Sequence, residues 1–250
     1  MRRIIRLLLM VVCGIVIGTT VYQTIMLLRI VWLKTHNPSS TSMIDARARE
    51  AEARGEVPRR EQVWVSLDKI SPNLQRAVLA GEDTNFVTHN GFDYQAIQRA
   101  WEQAQKEAAK EAKTEGEDDD WLPNLPEFKR GGSTITQQLA KNLFLSSERS
   151  FIRKGQEAIL TVMLEHTLSK RRILELYLNV IEWGDGIYGA EAAAQHYFHK
   201  SAAALSPSDG AFLSAMIPNP RTVFNPQTNP RRVARRQRII ARGMPYIKLP

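Results

Sequence analysis

The chain has 250 residues, with 34 Lys or Arg against 26 Asp or Glu, a formal net charge of +8 and a pI of about 9.7. The excess of cations points to an anionic partner: nucleic acid, phospholipid headgroups or a phosphorylated substrate. A single cysteine, Cys13, excludes an internal disulfide, and the roughly 200 residues beyond an apolar N-terminal run suit one well-packed domain better than two.

From Leu7 to Leu28 no residue is charged, which is about the length a bilayer core requires. A cleavable signal peptide competes with a retained anchor here. The run is long for a signal peptide and no small-x-small site follows it, so residues 1–34 are read as a cytoplasmic tip and membrane anchor. Arg2, Arg3 and Arg6 before the span, against Arg29 and Lys34 after it, favour a cytoplasmic N-terminus. Everything beyond residue 34 then lies outside the cytoplasm, which removes nucleic acid as the partner and fits a bacterial periplasm.

Residues 35–62 are polar and read as a linker or a solvated helix. "VWVSLDKI" is expected to be one short extended segment, and its Ser66-x-x-Lys69 spacing is a coincidence, since the companion acyltransferase patterns are missing. Ser71 and Pro72 open a helix that runs to Gly81. Glu82 and Asp83 follow it, where the negative end of the helix dipole should raise a carboxyl pKa and suit a general base. Both also read as exposed loop acids, with His89 a turn residue near Gly91. Asp93 caps a helix through Tyr94, Ile97 and Trp101, whose charged tail leads into an acidic insertion at about residues 102–129.

The next stretch, "RGGSTITQQLAKN", is dense in hydroxyls, amides and cations. Ile135, Leu139 and Leu143 make an apolar helical stripe, while Thr134, Gln137 and Lys141 line another face. Ser133 can cap the first free amides, a helix start that suits an anion. In "FIRKGQEAILTVMLEHTL" the residues Arg153, Glu157, Thr161 and Glu165 form a polar line on an otherwise apolar helix, and a glutamate there needs partners. "SKRRILELYLNVIEWG" reads as a helix opened by Ser169 and closed by Gly184, followed by helical "GIYGAEAAAQHYF" and "SPSDGAFLSAMI". His196 and His199 lack a third metal ligand nearby. Five arginines between Arg231 and Arg238 read as a solvated helix near anionic headgroups. With neither an internal repeat nor alternation of strand and helix, the fold class is mainly α.

These residues together resemble the peptidoglycan glycosyltransferases of family 51, and most closely the monofunctional biosynthetic transglycosylases. Four stretches match that family's motifs in order: "EDTNFVTHNGFD" from Glu82, "GGSTITQQLAKN" from Gly131, "RKGQE" from Arg153 and "SKRRILELYLN" from Ser169. The resemblance runs from about Trp64 to Pro226. It implies a lysozyme-like helical domain, here residues 63–245, tethered by one span to the bacterial inner membrane with its catalytic part periplasmic. Such a domain polymerises lipid-linked disaccharide-pentapeptide, lipid II, onto a growing β-1,4 glycan chain and releases polyprenyl diphosphate.

By this resemblance Glu82 is the base for the acceptor's 4-hydroxyl, and inversion fits one-step displacement. Glu157 sits near the diphosphate, organising cations there or a divalent ion, Mg or Mn; no cofactor is otherwise required. Lys141, Arg153 and Lys154 supply cations. Asp83, Phe86, His89, Ser133, Thr134, Gln137, Gln138 and Asn142 complete the substrate site. Other cell-wall synthesis or division proteins are natural partners. The acidic insertion is longer than the monofunctional pattern, and its Trp121, Leu122 and Phe128 either dip into the interface or pack on the domain. Two other functions compete: a lysozyme-like lytic enzyme, which would need an acid beside a poor leaving group, and a non-catalytic cell-wall scaffold.

Overall fold

The structure, a computed structural model, describes residues 2–111, 133–146 and 150–250. The acidic insertion beyond Glu111, with Trp121, Leu122 and Phe128, and the two glycines Gly131 and Gly132 lie outside the described residues.

Helix α1 spans Arg2–Trp32 and is apolar enough to cross a bilayer along most of its length. Its first two dozen residues expose Leu, Ile and Val on every side, as a lipid-facing helix does. Its C-terminal end behaves otherwise, because Met26, Ile30 and the following Leu33 are buried in the core of the domain. Two further contacts fix this end. The side-chain amides of Gln23 and Gln156 bond reciprocally at 2.7 and 3.2 Å. The Arg172 guanidinium donates to the Leu33 and His36 carbonyls and to Asn37 Oδ1, closing off the helix's last free acceptors.

The stretch expected as a linker contains helix α2 (Ser42–Ala53), capped by the Thr41 side chain. It is docked rather than solvated: Ile44 and Ala51 are buried and Arg47 reaches Glu182. So few apolar positions gave no sequence signal, but two at the right spacing are enough to seat three turns of helix. Strand β1 (Glu61–Gln62) follows, then a single 3₁₀ turn at Leu67–Lys69, so the expected extended segment is only partly so.

Helix α3 (Pro72–Glu82), capped by Ser71, is followed by α4 (Tyr94–Glu111), whose first turn is held by Asp93 Oδ1 accepting from the Ala96 amide at 2.9 Å. Then come α5 (Ile135–Phe144), α6 (Phe151–Thr167) and α7 (Lys170–Val180). α7 stops four residues before the predicted Gly184, because Glu182–Gly184 (β2) turns back to pair with Ile187–Tyr188 (β3). β1 adds in parallel to β3, giving a sheet of order β1-β3-β2. Strands of two or three residues are too short to show a period of two, which is why sequence patterning passes over them. Helices α8 (Ala190–Phe198), α9 (Pro207–Met216) and α10 (Pro230–Gly243) complete a mainly α fold.

Packing separates into two groups that meet at the site. α5 lies against α6 and α7, while α9 is sandwiched by α3 and α10. One continuous apolar core runs between them, with Trp183 and Tyr177 its largest fully buried side chains. α10 is not a purely solvated helix. Val233 and Ile240 are buried, and Arg236 lies on the same face at three residues from the first.

Candidate active site

Glu82 is the last residue of α3, and its carboxylate is held from two sides. Arg236 Nη2 donates to Oε1 at 2.7 Å and also to the Gly81 carbonyl at 3.0 Å. Gln138 Nε2 donates to Oε2 at 2.9 Å. The orientation of that amide is set from behind, since the Tyr177 hydroxyl donates to Gln138 Oε1 at 2.8 Å. Tyr177 is fully buried and burial holds its pKa well above the ordinary value, so it stays a donor. Burial also pushes the Glu82 pKa up, against the opposing pull of Arg236 and of the Gln138 bond. Desolvation, rather than the helix dipole, is the leading cause.

Asp83 faces the other way. Its carboxylate accepts from the Ile135 amide at 2.9 Å and from His89 Nε2 at 2.9 and 3.0 Å. His89 Nδ1 accepts from the Gly91 amide at 3.1 Å, so Nε2 carries the proton directed at Asp83. Both residues are buried, and they join the end of α3 to the start of α5. Gly91 closes this link from a φ of +92°, its carbonyl accepting from Thr134 Oγ1 at 2.7 Å; a Cβ there would stand 2.8 Å from Thr161 Cγ2. Phe86 is buried beneath the Lys170 ammonium, 4.5 Å from the ring centre.

α5 begins with a capping box: Thr134 Oγ1 accepts from the Gln137 amide, and Gln137 Oε1 accepts from the Thr134 amide at 2.9 Å. Thr134 and Gln137 are therefore occupied by the backbone, while Ser133 is exposed and Asn142 is buried. The predicted stripe of Ile135, Leu139 and Leu143 is buried. Lys141 keeps solvent on one side but is otherwise surrounded by protein. Its pKa is lowered, first by desolvation and then by Arg153 and Lys154, with Glu157 and Glu82 pulling it back. Lys141 thus lies within electrostatic reach of both glutamates.

On α6, capped by Ser150, Arg153 Nη1 donates to Glu157 Oε2 at 2.8 Å and Lys154 Nζ to Oε1 at 2.5 Å. Glu157 is buried, and Arg153 Nε is buried with no hydrogen-bond partner among the described residues. The rest of the polar line is partnered as well: Thr161 bonds the Glu157 carbonyl, and Glu165 meets Thr136 and Lys170. The α7 stretch from Ser169 to Asn179 mostly fastens other elements. Glu175 accepts from the Leu67 amide, and Asn179 bonds the backbone of Val65 on both sides.

Of the residues the resemblance named, Glu82 meets Gln138, Glu157 meets Arg153 and Lys154, and Lys141 lies within electrostatic reach of both glutamates; Arg236 and Tyr177 were not among those named. The signal for Arg236 was present: it sits three residues after Val233 and four before Ile240, a charge on the helix's apolar face.

The Transglycosylase family profile matches residues 50–116 and 121–245. A biosynthetic peptidoglycan transglycosylase of Thiobacillus denitrificans is 47% identical over 229 residues, covering 92% of this chain and 90% of that protein. Proteins of the same description from Chromobacterium violaceum and Bordetella pertussis are 44% and 43% identical over 248 residues, 98% of this chain and 99% and 95% of theirs.

Proposed function

The chain belongs to the transglycosylase family and is a peptidoglycan glycosyltransferase, and we propose that it polymerises lipid II into β-1,4 glycan by a single inverting displacement. In this reading Glu82 takes the proton from the acceptor's 4-hydroxyl as that oxygen bonds the donor's anomeric carbon. The bond from that carbon to the diphosphate breaks, and polyprenyl diphosphate leaves. The observation that carries the reading is the pairing of a buried, hydrogen-bonded Glu82, its pKa raised, with a cationic group of Lys141, Arg153 and Lys154. A base works best when its pKa lies near the working pH, and burial moves Glu82 in that direction. A diphosphate leaving group needs fixed positive charge and not a general acid, and that charge is present.

Arg236 serves the base as a fixed counter-charge. It limits how far burial raises the Glu82 pKa, and with Gln138 it fixes the carboxylate's orientation. Both oxygens of Glu157 are taken by Arg153 and Lys154, and among the described residues no cluster of three acidic, His or Cys side chains is placed to hold a metal ion. Glu157 as it stands does not fit a divalent ion. Its role is to space and orient the two cations that meet the diphosphate. The domain is placed on the periplasmic face of a bacterial inner membrane, anchored by α1.

The deciding experiment presents the purified protein in detergent with lipid II and, separately, with finished peptidoglycan. Long glycan and released polyprenyl diphosphate are expected from the first and no product from the second. Cleavage of finished glycan without polymerisation would establish a lytic enzyme, and inactivity in both a scaffold.

A further inference from the structure

A second cavity, of about 460 Å³, opens between the end of α2, the loop before β1, the β2–β3 turn and the loop carrying Arg221. Its walls carry four guanidiniums, from Arg47, Arg54, Arg59 and Arg221, against two carboxylates, Glu56 and Asp185. The carboxylates are engaged, Glu56 by Arg54 at 2.7 Å and Asp185 by Arg221 at 3.1 Å. Behind the wall, Glu182 and Glu50 hold Arg47 at 3.1 and 2.8 Å. Two donors remain without hydrogen-bond partners. Among the described residues, Arg59 makes no ion pair or hydrogen bond, and the Tyr188 hydroxyl has no partner although the residue is 1% exposed and lines the cavity. Burial, with Glu182 second, raises the Tyr188 pKa and keeps that hydroxyl a donor.

The cavity floor is rigid. Gly186, at φ +75°, lets the Arg59 backbone approach so closely that a Cβ would stand 2.6 Å from Arg59 Cβ, and the neighbouring Glu61 amide bonds the Gly186 carbonyl at 2.7 Å. Arginine forks with a spare phenol suit carboxylates. The apolar surface of Ala51 and Val57 suits a ligand that also carries alkyl carbons. Free carboxylates on an alkyl-bearing chain describe a short peptide better than they describe a phosphate. Arg221 is three residues from Phe224, whose ring lies 5.5 Å from the guanidinium of Arg236, the partner of Glu82.

We propose that this arginine-lined cavity is a subsite for the peptide carried by the glycan, gripping its carboxylates through Arg59, Arg221 and the Tyr188 hydroxyl. It rests on the reading of the chain as a polymerase of peptide-bearing glycan. Held there, a peptide would keep the strand in register with the cleft while the next bond forms.

The test is calorimetric titration of the full chain in detergent micelles with a soluble synthetic stem pentapeptide bearing free carboxylates and a lysine amine. A parallel titration uses the same peptide with its carboxylates amidated. Saturable binding of the free peptide is expected, weakened about tenfold by Arg59→Glu, by Tyr188→Phe to a lesser degree, and by amidation. Arg59 is exposed and unpartnered, so its variant folds, and polymerisation of a substrate stripped of peptide is expected to be unchanged in it. No binding by the unmodified chain, or binding indifferent to both variants, overturns the proposal. So does Arg59-dependent binding of inorganic phosphate or of phosphatidylglycerol vesicles without binding of the peptide. Peptide binding by a chain that fails to polymerise lipid II would overturn the enzymatic reading and leave the subsite standing.

Discussion

At the scale of single residues, the Glu82 carboxylate places fold and function in opposition. A carboxyl whose folded pKa is raised above its ordinary 4.5 binds its proton more tightly in the folded chain. Its contribution to stability is therefore complete below that ordinary value and is lost as pH rises through the folded pKa, the same interval in which the base becomes active. Thermal melts across that window should fall more steeply with pH for the native chain than for Glu82→Gln, while polymerisation by the variant drops at least about a hundredfold and substrate binding survives. Replacing Arg236 by Gln removes the leading opposing charge, so the acidic limb of the rate-pH curve should move to higher pH, and Arg236→Lys should move it back part of the way; an unmoved limb would deny Arg236 this role. Lys141→Ala should raise the barrier by about 2 to 4 kcal/mol, read from turnover, with little change in melting temperature. Lys141 could be placed on a polar helix face from its spacing, whereas Glu82 read from the residues alone as a carboxylate at a helix C-terminus or an exposed loop acid, and only the resemblance singled it out as a base. For Arg236 the sequence held only a charge on an apolar helix face; its partner was not legible, because Glu82 lies 154 residues away in the chain and the arginines around Arg236 face solvent.

At the scale of elements, the Asp83 carboxylate is the joint between α3 and α5, holding the Ile135 amide and the His89 imidazole together. Asp83→Ala would leave the Ile135 amide and the His89 imidazole buried without acceptors, a loss of about 1 to 3 kcal/mol that chemical denaturation would measure. A variant that lost activity at full stability would instead put Asp83 on the substrate. Two of the helices around this joint were readable from their caps, Ser71 and Ser169, each accepting a bond in the first turn that follows, whereas α5 is capped by Thr134 and not by the expected Ser133, and the Ser150 and Ser206 caps were not read. The small sheet and the seating of α2 were not legible, since both depend on contacts between distant segments, such as Glu61 with Gly186 and Arg47 with Glu182.

At the scale of the whole molecule, α1 is two things along one axis, an exposed apolar rod long enough to cross a bilayer and then a strut of the domain. Deleting residues 1–20 should leave the melting temperature of the domain nearly unchanged. Deleting residues 1–34 removes Met26, Ile30 and Leu33 from the core along with the Gln23 amide pair, and should lower it clearly in the same detergent. Equal melting temperatures would reduce α1 to a flexible tether. A helix fastened in this way cannot swivel independently of the catalytic domain. When a bilayer is thinner than the uncharged run of about 33 Å, the rod leans over, and the cleft must lean with it. On the proposed membrane placement, the tilt of the domain would follow bilayer thickness. Reconstituted in lipids of graded chain length, the enzyme should give rates that peak at one hydrocarbon depth, and replacing Gln23, Met26 and Ile30 together by Ala, which loosens the joint, should flatten that peak.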